Sequence, residues 1–205
     1  SSKNIQIGWK KNIYDPEKGS NQCLGSSFVN SGANTDREVN KLIKQYYELM
    51  AYQSFSNFVK RLVHKYTQRY PVDQHKEKEI ECIQLYFSNR YMVIDEVHNI
   101  RAEGAEMRDT VKTIEKVIKY SNNLRLVLLT ATPMYNRATE IIWILNMMLL
   151  NDNRSLLDKK DIFNKEDELT ESGKKILRDK CRGYISYLRG ENPVTFPIRL
   201  HPRQL

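Results

Sequence analysis

The chain has 205 residues, of which 40% are hydrophobic and 28% charged, ordinary proportions for a domain able to bury its own core, with no internal repeat or low-complexity tract. A net charge of +8 favours a polyanionic partner such as DNA, RNA or a nucleotide, although charge alone reads equally well as a lysine-rich solvated surface. The longest apolar stretch, residues 141–150, is interrupted by Asn146 and is too short to span a bilayer. Cys23, Cys82 and Cys181 are too far apart for a C-x-x-C pattern, and His75 with Cys82 lacks further ligands, so neither a membrane span nor a cysteine metal centre is expected. The sparse cysteines fit a reduced, cytoplasmic compartment.

Residues 1–38 are rich in Ser, Asn, Gly and Lys and read as a loop-rich segment, with turns at Asp15-Pro16 and Lys18-Gly19. Within it the alternation of Ile5, Ile7 and Trp9 predicts a short strand. Val39, Leu42, Ile43 and Tyr46 then fall at helical spacing, with Asp36 as the expected cap. Tyr47, Leu49 and Ala51 alternate and predict a strand through Tyr52. The strongest helical pattern follows, with Phe55, Phe58, Val59, Leu62, Val63 and Tyr66 on one face, Ser54 as N-cap, and Pro71 beyond its end. Residues 71–79 read as a charged loop, and Ile80, Ile83 and Phe87 as a helix.

Next comes Tyr91-Met-Val-Ile-Asp-Glu-Val-His-Asn-Ile100, in which an apolar run leads straight into Asp95, Glu96 and His98. Such a run predicts a strand buried on both faces of a parallel sheet, with its acids at the carboxyl end, where ligands collect. A carboxylate pair there suits a hydrated Mg²⁺ and a water aimed at a nucleoside triphosphate. Met107, Val111, Ile114, Val117 and Ile118 predict the next helix, and residues 124–129 a second strand, which ends in Thr130-Ala131-Thr132-Pro133. Ile141, Ile142, Leu145, Met148 and Leu149 form a further helical pattern. Residues 151–169 read as a charged connection. A last helix starts at Thr170-Glu171, carries Leu177, Cys181, Tyr184 and Leu188 on one face, and breaks at residues 189–193. Alternating strand and helix give an α/β class with a parallel sheet. The expected organisation is a loop-rich segment at 1–38, a core at 39–150 and a helical extension at 151–205 that leads out of the domain.

The pair DEVH and TATP resembles motifs II and III of superfamily 2 DExH-box helicases and translocases. Tyr46-Tyr-Glu-Leu-Met-Ala-Tyr-Gln-Ser-Phe55 is similar to the segment before motif II in the Swi/Snf-like branch. Cys181-Arg-Gly-Tyr-Ile-Ser-Tyr-Leu-Arg-Gly-Glu-Asn-Pro193, with Phe196-Pro197, resembles helicases of large cytoplasmic DNA viruses, of the poxvirus nucleoside triphosphatase I and early-transcription-factor type. The resemblance implies the first RecA-like domain, with helices flanking a parallel sheet, in an ATP- and Mg²⁺-dependent motor that moves on nucleic acid, DNA favoured. A viral RNA polymerase is an implied partner, and host cytoplasm or virion an implied location. Asp95 would then hold Mg²⁺ through water, Glu96 would polarise the attacking water, and His98 would link nucleotide state to the other motifs. Thr130, Ala131 and Thr132 would couple hydrolysis to movement. Tyr52 and Gln53, with Lys60 and Arg61 on the following helix, would touch the nucleic-acid backbone.

The pattern departs from the family in one respect. No G-x-x-x-x-G-K-[ST] occurs among the 205 residues, and Cys23-Leu-Gly-Ser-Ser-Phe28 is no phosphate loop. The expectation is therefore an interior fragment that begins after that loop and is inactive by itself. The alternative is a non-catalytic RecA-like module that binds nucleic acid or a polymerase.

Overall fold

A computed structural model describes residues 3–18, 32–33, 35–100, 105–134 and 137–187. The Cys23–Phe28 segment, the loop around Gly104, Leu188 and the Arg189–Pro193 and Phe196-Pro197 segments lie outside the described residues. The chain forms two compact units, residues 1–156 and 157–205.

The first unit opens with helix α1, Lys3–Ile13, where alternation predicted a strand. The competing period explains the difference: Trp9 and Ile13 are four apart, and Ile13 with Tyr14 is buried against Ile43 of helix α2, Asp36–Tyr46. Helix α2 is capped by Thr35 rather than Asp36. Thr35 and Glu38 form a reciprocal capping box, so Asp36 takes the first helical position, where its charge still favours the positive helix end.

Residues 47–51 form neither helix nor strand, although Tyr47 and Ala51 are extended, so the predicted strand through Tyr52 is absent. Instead Tyr52 starts helix α3, Tyr52–Thr67, with Ala51 rather than Ser54 at the N-cap. The alternation of residues 47–51 lacked a partner ladder, and a strand without one leaves its polar backbone unpaired. Helix α4, His75–Phe87, begins earlier than the expected charged loop allowed, after a short turn at Val72–Gln74. Polar residues in its first turns face solvent, so hydrophobic period alone could not mark the start. Helices α3 and α4 pack on α5, Ala105–Tyr120, around Val59, Ile83, Phe87 and Val117. Ile83 and Val117 are fully buried. Burying an aliphatic side chain of this size contributes about 1.5–3 kcal/mol. The rings of Phe55 and Phe87 meet edge to face with centroids 5.8 Å apart.

Strands β1, Tyr91–Ile94, and β2, Arg125–Leu128, pair in parallel, with Tyr91 opposite Arg125 and Ile94 opposite Leu128. Parallel neighbours need a long crossover, and α5 lies within it. Met92, Ile94, Leu126 and Leu128 face the core with Ile114, Ile118 and Met147, the last from helix α6, Glu140–Asn151. The other face departs from expectation. Tyr91 is 81% exposed and Val93 49%, so β1 is buried on one face only. The apolar run was written as for a strand covered on both sides, but the described elements cover one. Among the described residues, no helix is long and apolar enough to cross a membrane.

The second unit is built on a tight corner. Where a charged connection was expected, helix α7, Lys159–Ile162, is capped by Asp158, and Phe163 bridges to Leu169 in antiparallel fashion. Buried Ile162 and Phe163 are the apolar pair that a charge-based reading overlooks. Helix α8, Glu171–Cys181, is capped by Thr170 as the sequence indicated. A Cβ on Gly173 would lie 2.1 Å from the Ile162 carbonyl oxygen, so only glycine lets α8 approach this closely. Helix α8 stops at Cys181, short of the predicted break, which leaves Tyr184 beyond its end.

Candidate functional site

The site assembles where β1 and β2 end. Each strand turns at its last apolar residue, and hydrogen bonds carry the ladder past the strands. Leu129 N donates to the Ile94 carbonyl at 2.9 Å, and Val97 N donates to the Leu129 carbonyl at 3.0 Å. The turn that bears Asp95 and Glu96 is thereby fastened to the residue preceding Thr130. Val97 and Ile100 anchor it from below, at 0% and 1% exposure.

Glu96 takes a left-handed backbone conformation, φ 51° and ψ 45°. Four other non-glycine residues among those described have positive φ: Asn89, Asn123, Asn153 and Asp167. Asn and Asp tolerate that region because their short side chains bond locally, whereas for glutamate it costs about 1–2 kcal/mol. Strain of this kind persists where the surroundings over-determine it, commonly at functional sites.

The surroundings are specific. The Tyr52 hydroxyl donates to the carbonyl oxygens of both Asp95 and Glu96, the latter at 3.1 Å. Burial, then the charges of Asp95 and Glu96, push the Tyr52 phenol up to about 12, so it remains a donor at physiological pH. The Asp95 carboxylate accepts from the Trp9 indole, Nε1 to Oδ2 at 2.8 Å. The Glu96 carboxylate lies 3.3 Å from His98 Nδ1, and that same nitrogen lies 2.8 Å from Thr130 Oγ1. Thr130 Oγ1 also accepts from Thr132 N at 3.1 Å. Asp95, Glu96, His98, Thr130 and Thr132 are thus one connected polar network, with Ala131 exposed at the crest of the second turn.

The remaining residues singled out from the sequence are placed otherwise. Tyr52 points its hydroxyl at the acid turn, from the start of a helix rather than the end of a strand. Gln53 is held on α5, where its Oε1 accepts from Thr110 Oγ1 at 2.7 Å. Lys60 and Arg61 lie on the exposed face of α3, and Lys60 pairs with Asp109 of α5. In the sequence Trp9 belongs only to the alternating pattern that predicts a strand. Nothing in the spacing could reveal its bond to an acid 86 positions away.

Among the described residues, no three His, Cys, Asp or Glu side chains gather into a metal cage. Mg²⁺ needs no cage, because it keeps several waters and takes one or two carboxylates beside substrate phosphates. The Asp95 carboxylate, with Oδ1 outside the indole bond, fits such a hydrated ion.

Comparison with known proteins bears on this arrangement. The SNF2-related domain family matches residues 22–185. The chain belongs to the SNF2-related family. The match opens earlier than the recognisable motifs and includes both turns of the site. A protein of Acanthamoeba polyphaga mimivirus named as an ATP-dependent RNA helicase is 34% identical over 174 residues, covering 78% of this chain and 15% of the relative. A Frog virus 3 (isolate Goorha) protein named as a helicase is 26% identical over 157 residues, covering 77% and 15%. One of Invertebrate iridescent virus 3, also named as a helicase, is 27% identical over 157 residues, covering 76% and 13%. The SNF2-related chain therefore resembles proteins of large DNA viruses and spans about 15% of the length of the first two of these. No solved structure matches it significantly.

Proposed function

We propose that this SNF2-related chain is part of a viral motor that couples ATP hydrolysis to movement on nucleic acid, and that its two turns belong to the hydrolytic centre of a RecA-like domain. The observation that carries the reading is the network from Glu96 through His98 to Thr130, which joins an acid pair to a hydroxyl turn at the carboxyl end of a parallel sheet. In this reading Glu96 accepts a proton from the attacking water and orients it. Asp95 holds a hydrated Mg²⁺, whose charge would neutralise the phosphate oxygens. His98 ties Glu96 to Thr130, so a shift at either end is felt at the other. Lys60 and Arg61 supply phosphate contacts on the outer face of α3. DNA is the polymer implied by the Swi/Snf-like resemblance, while the mimivirus relative is named for RNA, so assays should offer both. Work beside a viral RNA polymerase, in host cytoplasm or virion, rests on that resemblance alone.

Glu96→Gln in the complete protein keeps the side-chain shape and removes its charge. Turnover should fall by about 10²–10⁴-fold while ATP binding survives. The isolated 205-residue chain, which has no G-x-x-x-x-G-K-[ST], should show no nucleic-acid-stimulated hydrolysis. ATP release assays and equilibrium nucleotide titration check both. Near wild-type turnover by Glu96→Gln would remove Glu96 from the chemistry, whereas an absence of turnover by the complete wild-type protein would favour the non-catalytic module, to which the indole bond on Asp95 lends a specific argument.

A further inference from the structure

We propose that Tyr52 is a positioning residue for the acid pair: its hydroxyl bridges the Asp95 and Glu96 carbonyls, holds Glu96 in the left-handed conformation, and so aims both carboxylates. The proposal rests on the reading of Glu96 as the water-activating group.

Three observations converge on it. First, the strained residue is the one whose carbonyl the phenol grips. A left-handed glutamate relaxes toward ordinary φ unless something fixes the peptides on either side of its Cα, and the Asp95 and Glu96 carbonyls belong to those two peptides. Second, the donor stands on a rigid element. Tyr52 packs against the buried core cluster that includes Ile94, Val97 and Ile114. The residues that follow fasten α3 to α5, Gln53 to Thr110 and Ser56 Oγ to Thr113 Oγ1 at 3.2 Å. A hydrogen bond from so fixed a donor sets position as well as satisfying an acceptor. Third, α3 carries Lys60 and Arg61 on its exposed face, so one phenol joins the basic helix to the acid turn.

The test uses the complete protein, with Tyr52→Phe and Tyr52→Leu beside wild type and Glu96→Gln. Phenylalanine keeps the ring packing and deletes the hydroxyl; leucine loses both. For Tyr52→Phe, kcat should drop between about tenfold and a hundredfold, with KM for ATP and the melting temperature close to wild type. Hydrogen exchange at the Val97 amide should quicken while β1 stays protected. Tyr52→Leu should also lose thermal stability. Wild-type kcat and wild-type exchange in Tyr52→Phe would overturn the proposal. So would kcat, KM and melting temperature moving together in Tyr52→Phe as they do in Tyr52→Leu, since that is the mark of simple structural support. If Glu96→Gln turns over like wild type, the reading of Glu96 as the water-activating group has failed. The exchange comparison then still decides whether Tyr52 holds the turn.

Discussion

The turn after β1 and the turn after β2 leave the same end of the sheet as neighbours, yet they are held by opposite means. Residues 95–98 are pinned by a phenol from α3, an indole on Asp95, two buried aliphatic anchors and a strained backbone at Glu96. Residues 130–132 hang on hydroxyl bonds: Thr130 meets His98 and accepts from Thr132 N, while Ala131 and Thr132 are exposed. A pinned turn presents charges at fixed positions, which suits electrostatic work. A turn held by hydroxyls can exchange partners at low cost, which suits a two-state element. Beside the main-chain bonds at Leu129, a histidine nitrogen joins the side chains of the two turns, within reach of both Glu96 and Thr130.

Of the two variant sets that probe this contrast, the one with the larger expected effect breaks that joint. Thr130→Ala with Thr132→Ala in the complete protein removes the hydroxyl facing His98 but leaves Glu96 and its anchors alone. Hydrolysis should persist, whereas ATP consumed per base pair opened or traversed should rise about five- to tenfold, the low end of ordinary coupling energies. Stability should change by about 1 kcal/mol or less, because Thr132 is exposed and each residue keeps its Cβ. Strand-displacement and ATPase assays on one preparation give the ratio. An unchanged ratio, even with both rates lowered, would show that the second turn does not transmit the state of the first.

Much of this arrangement was legible in residue order. The apolar run before Asp95, the hydroxyl turn after residue 129 and the helical period of residues 107–118 each reflect local physics, burial and chain reversal, which a short window contains. The amphipathic face of α3 was legible for the same reason. Three features were not. Trp9 reads as half of an alternating pattern until its indole meets Asp95, and that meeting depends on tertiary placement. Tyr52 reads as a strand end, because the alternation of Tyr47, Leu49 and Ala51 mimics a strand, yet no partner strand pairs with it among the described residues. The one-sided burial of β1 is invisible for a further reason: Tyr91 and Val93 are residues suited to burial on both faces, and the described elements cover one. The acid pair is therefore legible in pattern, whereas the Tyr52 and Trp9 bonds to it are visible only in geometry.

The smallest expected effect tests the strain itself and separates the two turns by sign. Glu96→Ala and Glu96→Gly delete the same carboxylate and the same contact with His98, so their difference reports the backbone alone. Alanine keeps the Cβ that clashes at φ 51°, whereas glycine occupies this region freely. Glycine is also the more flexible residue in the unfolded chain, which offsets part of the gain. The expected balance is that Glu96→Gly is more stable than Glu96→Ala by about 0.5–1 kcal/mol. At Ala131, which is absent from the positive-φ residues, the same exchange brings only the entropic loss, so Ala131→Gly should destabilise by about 0.5–1 kcal/mol. Denaturant midpoints for the three variants, at unchanged slope, measure both differences. A glycine preference at position 96 opposed by an alanine preference at position 131 would show that the rigid turn stores strain and the loose turn does not. If alanine is preferred at both, the Glu96 backbone is not strained, and the role given to the Tyr52 hydroxyl loses its first support.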